Sequence, residues 1–319
     1  MANAQNPNFP TGRAGLIAID KMGNKVFFLD PESFETVEVL GGFAPKVHEL
    51  AISPDHATAY APIYGDGRHG NNPNPGHLIA VFDLAQRRHK GDFSVSPFIA
   101  PHGLRWGPAG QLYCVCEASG VVAEMDGVTG EIQHVIEVGS TNAHRIEVLP
   151  DGSKLYTENE EDPFATVVDL GSRRRLADIP APNGLAGLGL SPDGSTIVLV
   201  DAKRPELMVV ETATDEVVHT IRLIGHKQAA QIARYSPDGR YLVVTSNNEG
   251  IGTILTADLR TQYLVTLGKG PMDMAFHPDG YTALVGNQND GTITVLDLDH
   301  ASVTGTLRVG EGVESLAFY

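Results

Sequence analysis

One short segment returns seven times along the chain, and its copies begin at residues 48, 102, 144, 186, 231, 272 and 314. The steps between them are 54, 42, 42, 45, 41 and 42 residues. The best-preserved copy reads Asn142-Ala143-His144-Arg145-Ile146-Glu147-Val148-Leu149-Pro150-Asp151-Gly152. It is an alternating apolar strand that runs into a Pro-Asp-Gly turn. Self-similarity at this period, with several short strands and turn signals in each repeat, marks a β-propeller built from four-stranded blades. Seven copies predict an all-β fold of seven blades, each of four antiparallel strands.

The rest of each repeat fits that reading. After the turn comes an apolar and aromatic strand such as Tyr241-Leu242-Val243-Val244, then a strand ending in an Asp turn such as Val295-Leu296-Asp297, then a β-branched strand such as Val217-Val218-His219-Thr220-Ile221. The alternation has a period of two, and no amphipathic helix is evident. Residues 15–43 supply strands two to four of a blade without a first strand, while residues 314–319 are a first strand with nothing after it. Pairing the two closes the ring and removes its exposed edges. The chain therefore reads as one domain over 1–319, with 1–14 a flexible leading segment.

Composition narrows the partners. The formal charge is −16, and apart from Arg173-Arg174-Arg175 no cluster of basic residues stands out. Nucleic acid and anionic membranes are thus poor partners, and a small-molecule substrate is the expected one. Cys114 and Cys116 are the only cysteines; two apart on one strand, they face the same side and are expected to be buried thiols. With no leader-like apolar run after a basic start and no stretch of membrane-spanning length, a cytoplasmic protein is expected, or a periplasmic or secreted one had a leader been removed. There is no Gly-x-Ser-x-Gly elbow, Walker loop, dinucleotide turn or His-Glu-x-x-His motif.

The repeat, with an apolar pair leading into Ser236-Pro237-Asp238-Gly239 and with the stretch Pro271 to Gly280 as another instance, resembles the YVTN-type, lactonase-like seven-bladed propellers. The resemblance spans nearly the whole chain. It implies the architecture and leaves the activity open among lactonases, lyases, metal-centre oxidoreductases and non-catalytic binding proteins.

The register of the repeats nominates a site. The first residue of each innermost strand should ring the mouth of the central channel, and those slots hold His48, His102, His144, Ala186, Gln231, Met272 and Glu314. Three consecutive His are rare by chance with 12 His in 319 residues, and ring closure would bring Glu314 next to His48. Three imidazoles and a carboxylate suit a divalent ion such as Zn²⁺, Fe²⁺ or Mn²⁺. His48, His102, His144 and Glu314 are therefore the expected metal ligands, with Glu314 either the fourth ligand or an orienting carboxylate. Ala186 would leave room for water or substrate.

The long first step places a Gly/Asn/Pro-rich insertion, residues 65–77, on the mouth side as a possible substrate lid. From it and its surroundings, Tyr64, Arg68, His69 and Gln231 are nominated to touch substrate. Glu158, Glu160 and His226 are nominated for catalysis, a carboxylate being able to take a proton from metal-bound water. Arg145 is expected to lie against the next blade. The leading expectation is a metal-dependent hydrolase acting on an ester or lactone. A metal-dependent lyase, isomerase or oxidoreductase with the same His cluster, or a non-catalytic binding propeller, are the alternatives.

Overall fold

Each Ser-Pro-Asp-Gly turn folds by satisfying its own polar groups. In the turn at Ser236, the hydroxyl donates to Asp238 Oδ1 (2.7 Å) and accepts from Tyr241 N (3.0 Å), while Asp238 Oδ1 also accepts from Arg240 N (3.1 Å). Gly239, at φ +71°, supplies the left-handed residue that the reversal needs. The copy at Ser53 keeps the same bonds but has His56 at that position, with φ +57°. These local turns set the register between first and second strands in the repeats that carry them.

A computed structural model describes residues 15–67 and 69–319. The expected flexible segment 1–14, and Arg68, lie outside the described residues. Within them the chain forms seven four-stranded antiparallel sheets. Six consist of consecutive strands, over 51–94, 101–137, 145–180, 185–222, 232–266 and 271–308. The seventh is the composite that the sequence ends imply: Val313–Phe318 pairs with Leu16–Asp20, followed by Lys25–Leu29 and Thr36–Leu40. The closing register puts Leu16 opposite Phe318 and Ala18 opposite Leu316. Gly15 and Tyr319 add a reciprocal pair of backbone bonds, 2.9 and 3.0 Å. We number the blades 1 to 7, with blade 1 the composite.

The core is also a ring. Seven hydrophobic clusters are present, each drawn from two neighbouring blades. Blades 7 and 1, for instance, join through Leu284, Ile293, Leu16, Leu29, Leu316 and Phe318. The outermost strands, such as Thr36–Leu40 and Arg88–Ser94, are largely exposed, which matches their polar and β-branched sequences. Cys114 and Cys116 are buried free thiols, as expected. Among the described residues the one helical element is the 3₁₀ turn Glu117–Ser119, and no helix is long and apolar enough to cross a membrane.

Candidate functional site

The innermost strands converge on a cavity of about 270 Å³ whose lining includes His48, His102, His144, Gln231, Met272 and Glu314. Six of the seven slot residues therefore meet where the repeat register puts them. Below them the channel is filled by ion pairs. Arg105 forms a two-pronged bridge to Glu147, and Arg234 bonds both Glu147 (3.1 Å) and Asp273 (3.0 Å from each of two nitrogens).

The three imidazoles are close, and glycine makes that possible. Gly103 N donates to His144 O at 3.0 Å, and a Cβ on Gly103 would lie 2.9 Å from that same oxygen. Blades 3 and 4 can thus approach until the His102 and His144 rings lie 3.4 Å apart, centroid to centroid. His48 Nε2 and His102 Nε2 are 2.6 Å apart. Nδ1 of His48 donates to Lys46 O at 2.8 Å, and Nδ1 of His144 meets Glu117 Oε2 at 2.9 Å. Burial first, then the Lys21 charge, holds the His48 imidazole well below its usual range. Burial and the neighbouring His144 do the same to His102.

The acids sit on one side of this cluster. Glu117 leaves the end of Gln111–Cys116 in the 3₁₀ turn and accepts bonds from Tyr64 Oη (2.7 Å) and His144, with His69 Nδ1 3.1 Å away. Burial would raise its carboxyl, yet the hydrogen bonds from His144 and His69 hold it at about 2. Burial also opposes charge on His69, but the bond to Glu117 and the charge of Glu160 lift it to about 10. Glu160, with φ +42°, adopts the left-handed backbone that is uncommon outside glycine, and its Oε1 lies 3.4 Å from His144 Nε2. Glu158 is fully buried behind it, and burial followed by the Glu160 charge pushes its carboxyl up to about 7.

Sets of three donors whose atoms gather within 4.8 Å of one another are His69–Glu117–His144, His69–Glu160–Glu161 and His144–Glu158–Glu160. The focus of possible metal ligation therefore lies at His144 and toward the acids of blades 3 and 4, to one side of the expected centre. His48 and His102 form a pair beside it. Glu314 departs from the expected role: its carboxylate is held by Lys21 (2.8 Å) and by Gln288 Nε2 (2.9 Å). It lines the cavity without joining the imidazoles. His226 is also displaced from the expected role, being buried against Thr253 Oγ1 at 2.7 Å and outside the cavity lining. Its loop precedes the innermost strand of blade 6 and packs on that blade instead of turning to the axis.

The insertion lies over the mouth as expected. His69 reaches across from blade 2 to Glu117 of blade 3 and Glu161 of blade 4 (2.6 Å), and Tyr64 packs edge-on against His48 and His102. Gln231 lines the cavity and donates weakly to Ala186 O (3.4 Å). Arg145 does more than lie against the next blade. It is buried, reaches Glu49 Oε1 beside blade 2 (3.1 Å), touches Glu158 Oε1 (3.5 Å), and bonds Ala186 O (3.1 Å). Neither Glu49 nor Arg145 was singled out as a site residue from sequence. The available signal was their position directly after His48 and His144 in the repeat.

No known family profile matches the chain, and no curated protein sequence matches it. Solved structures do resemble it. Kuenenia stuttgartiensis hydrazine synthase aligns with a TM-score of 0.66 and 18% identity, covering 82% of this chain and 86% of that one. The Myceliophteria thermophila Cps50 (Swd1) beta-propeller domain aligns with a TM-score of 0.65 and 14% identity, covering 82% and 87%. At these identities the likeness establishes the propeller fold and nothing about chemistry.

Proposed function

We propose that the mouth binds one divalent metal ion through His144, Glu158 and Glu160, and that the protein is a metal-dependent hydrolase of a small ester or lactone. One observation carries the metal. The Glu117 carboxylate accepts from His144 Nδ1, which directs the other ring nitrogen, Nε2, at Glu160 Oε1 3.4 Å away. A neutral imidazole of that tautomer turns a lone pair toward a carboxylate oxygen, so a proton or a cation belongs between them. Fixing Nδ1 on a carboxylate while Nε2 ligates is the usual arrangement of metal-bound histidine. The adjacent acid Glu158, raised to about 7 by burial and by Glu160, is relieved by the same positive charge.

The resemblance to lactonase-like propellers supplies the substrate class. His144, Glu158 and Glu160 would hold the ion, which when bound would polarise a substrate carbonyl and lower the pKa of a coordinated water. Hydrolysis there would join the water oxygen to the carbonyl carbon and break the acyl carbon–oxygen bond, with the water's proton passing to the leaving oxygen.

Elemental analysis after supplementation with zinc, manganese or ferrous iron tests the reading. One ion per chain is expected, lost in His144→Ala and in Glu160→Gln, together with chelator-sensitive hydrolysis of 4-nitrophenyl butyrate or simple lactones. A protein that takes up no metal, or keeps it in His144→Ala, is a binding propeller and not this enzyme.

A further inference from the structure

The cavity wall opposite the acids is built differently. Lys21 follows the strand Leu16–Asp20 of blade 1 and projects beside His48, its side chain 19% exposed to the cavity. Three cationic side chains besides His69 line the space: Lys21, Lys46 and Arg145. Arg145 is spoken for by Glu49, Glu158 and Ala186 O, and Lys46 by Gly67 O. Among the described residues Lys21 is bonded to Glu314 alone, through contacts of 3.1 and 2.8 Å. An ammonium has three N–H donors, so one remains for a ligand. Glu314 itself is pinned, since Gln288 Nε2 donates to the oxygen that also faces Lys21.

We propose that Lys21 recognises a carboxylate, so that the molecule taken at this mouth is a small acid carrying a second carbonyl group at its other end. The inference rests on the hydrolase reading only for what happens to that second group, which faces His144 and Glu160. The binding half stands on the Lys21 wall alone. Glu314 acts as the internal competitor for the ammonium, holding it in place and weakening its grip on an incoming anion. That makes Lys21 a specificity-determining residue and gives its partner an opposite effect.

The test is calorimetric titration of the chelator-treated protein with monomethyl glutarate and with its neutral counterpart dimethyl glutarate. A charge-assisted bond predicts that the wild type prefers the acid by about tenfold or more. Lys21→Met should erase the preference, Lys21→Arg should keep it, and Glu314→Gln should increase it, with thermal melts verifying that each variant is folded. Equal binding of the two esters, a preference that survives Lys21→Met, or a weaker preference in Glu314→Gln would overturn the assignment. The last outcome does not depend on the lysine variant folding. Metal-dependent hydrolysis without the acid preference leaves the hydrolase reading standing and removes this one. An acid preference in a protein that never takes up metal does the reverse.

Discussion

His48 Nε2 and His102 Nε2 face each other at 2.6 Å in a site where both rings are 1% exposed. His48 Nδ1 donates to a backbone carbonyl, so in the neutral ring its Nε2 is an acceptor and His102 Nε2 must be the donor. His102 Nδ1 is then bare, which agrees with its having no hydrogen-bond partner among the described residues. Both rings stay neutral in the folded protein while the unfolded chain titrates near 6.5. As pH falls below about 6.5, the unfolded state takes up protons that the native state refuses, and stability drops. The slope is about 1.4 kcal/mol per pH unit for each ring. His69, whose stabilisation is complete only below 6.5, and Glu158, whose carboxyl is raised to about 7 and takes up a proton in the native state first, both gain stability as pH falls from 7.5 and oppose this loss, so it is read from the difference between wild type and a variant lacking one ring. Urea unfolding of metal-free protein at pH 7.5, 6.5 and 5.5 should show acid destabilising wild type more than His48→Gln, the difference between the two changing by about 1 kcal/mol over that range.

Arg145 ties three blades together beneath the imidazoles. Removing it leaves Glu49 and Glu158 buried, the first without the cation it is hydrogen-bonded to. Arg145→Met should therefore cost about 3–5 kcal/mol, the range for breaking a buried pair on one side. Because Glu158 can take a proton near pH 7, the cost should shrink at pH 6, and the double variant Arg145→Met with Glu49→Gln should recover part of it. Chemical denaturation at the two pH values measures both. An unchanged unfolding midpoint in the single variant would mean the arginine merely fills space.

The fold was legible because each blade announces itself locally. A Pro-Asp-Gly turn and a period-two strand need no distant partner to be recognised, and seven of them at one spacing leave little choice of architecture. The site was legible only where it follows the same register. His48, His102 and His144 share a slot, so they could be aligned and their convergence expected. Glu314 shares the slot too, but Lys21 reaches it from a residue 293 positions away, a contact that the repeat does not encode. Glu49 has φ +58°, and that left-handed backbone breaks the alternation which would otherwise have placed its side chain. His226 failed for the reverse reason: a histidine near the right strand is not in the slot, and its ring found Thr253.

The insertion of blade 2 is held over the mouth chiefly by His69, which meets Glu117 and Glu161 of two other blades. Asn72 and Asp66 brace it internally, through Tyr64 O and Asn74. His69→Ala should free the loop while sparing the blades. Faster amide exchange or proteolysis confined to residues 66–74 is expected, with the unfolding midpoint of the whole protein shifted by about 1 kcal/mol or less. Exchange that accelerates throughout the ring would show instead that the loop is part of the global folding unit.

Ring closure depends on a single strand, and its loss should be felt everywhere. Val313–Phe318 buries Leu316 and Phe318 in the cluster between blades 7 and 1, and Tyr319 enters the cluster between blades 1 and 2. A Cβ on Gly15 would lie 2.3 Å from the Tyr319 ring, which shows how closely the last residue is packed. Leu316→Ala should cost about 2–4 kcal/mol through lost burial and the cavity left behind. Deleting 313–319 removes the whole ladder with Leu16–Asp20 and exposes that strand's edge, so a propeller without it should unfold or associate through that edge. Because the blades share their cores pairwise, the loss should propagate: the deletion should lower the midpoint reported from blade 4 as much as that from blade 1. Hydrogen exchange resolved by peptide distinguishes this from local fraying, in which blades 3 to 5 would keep wild-type protection.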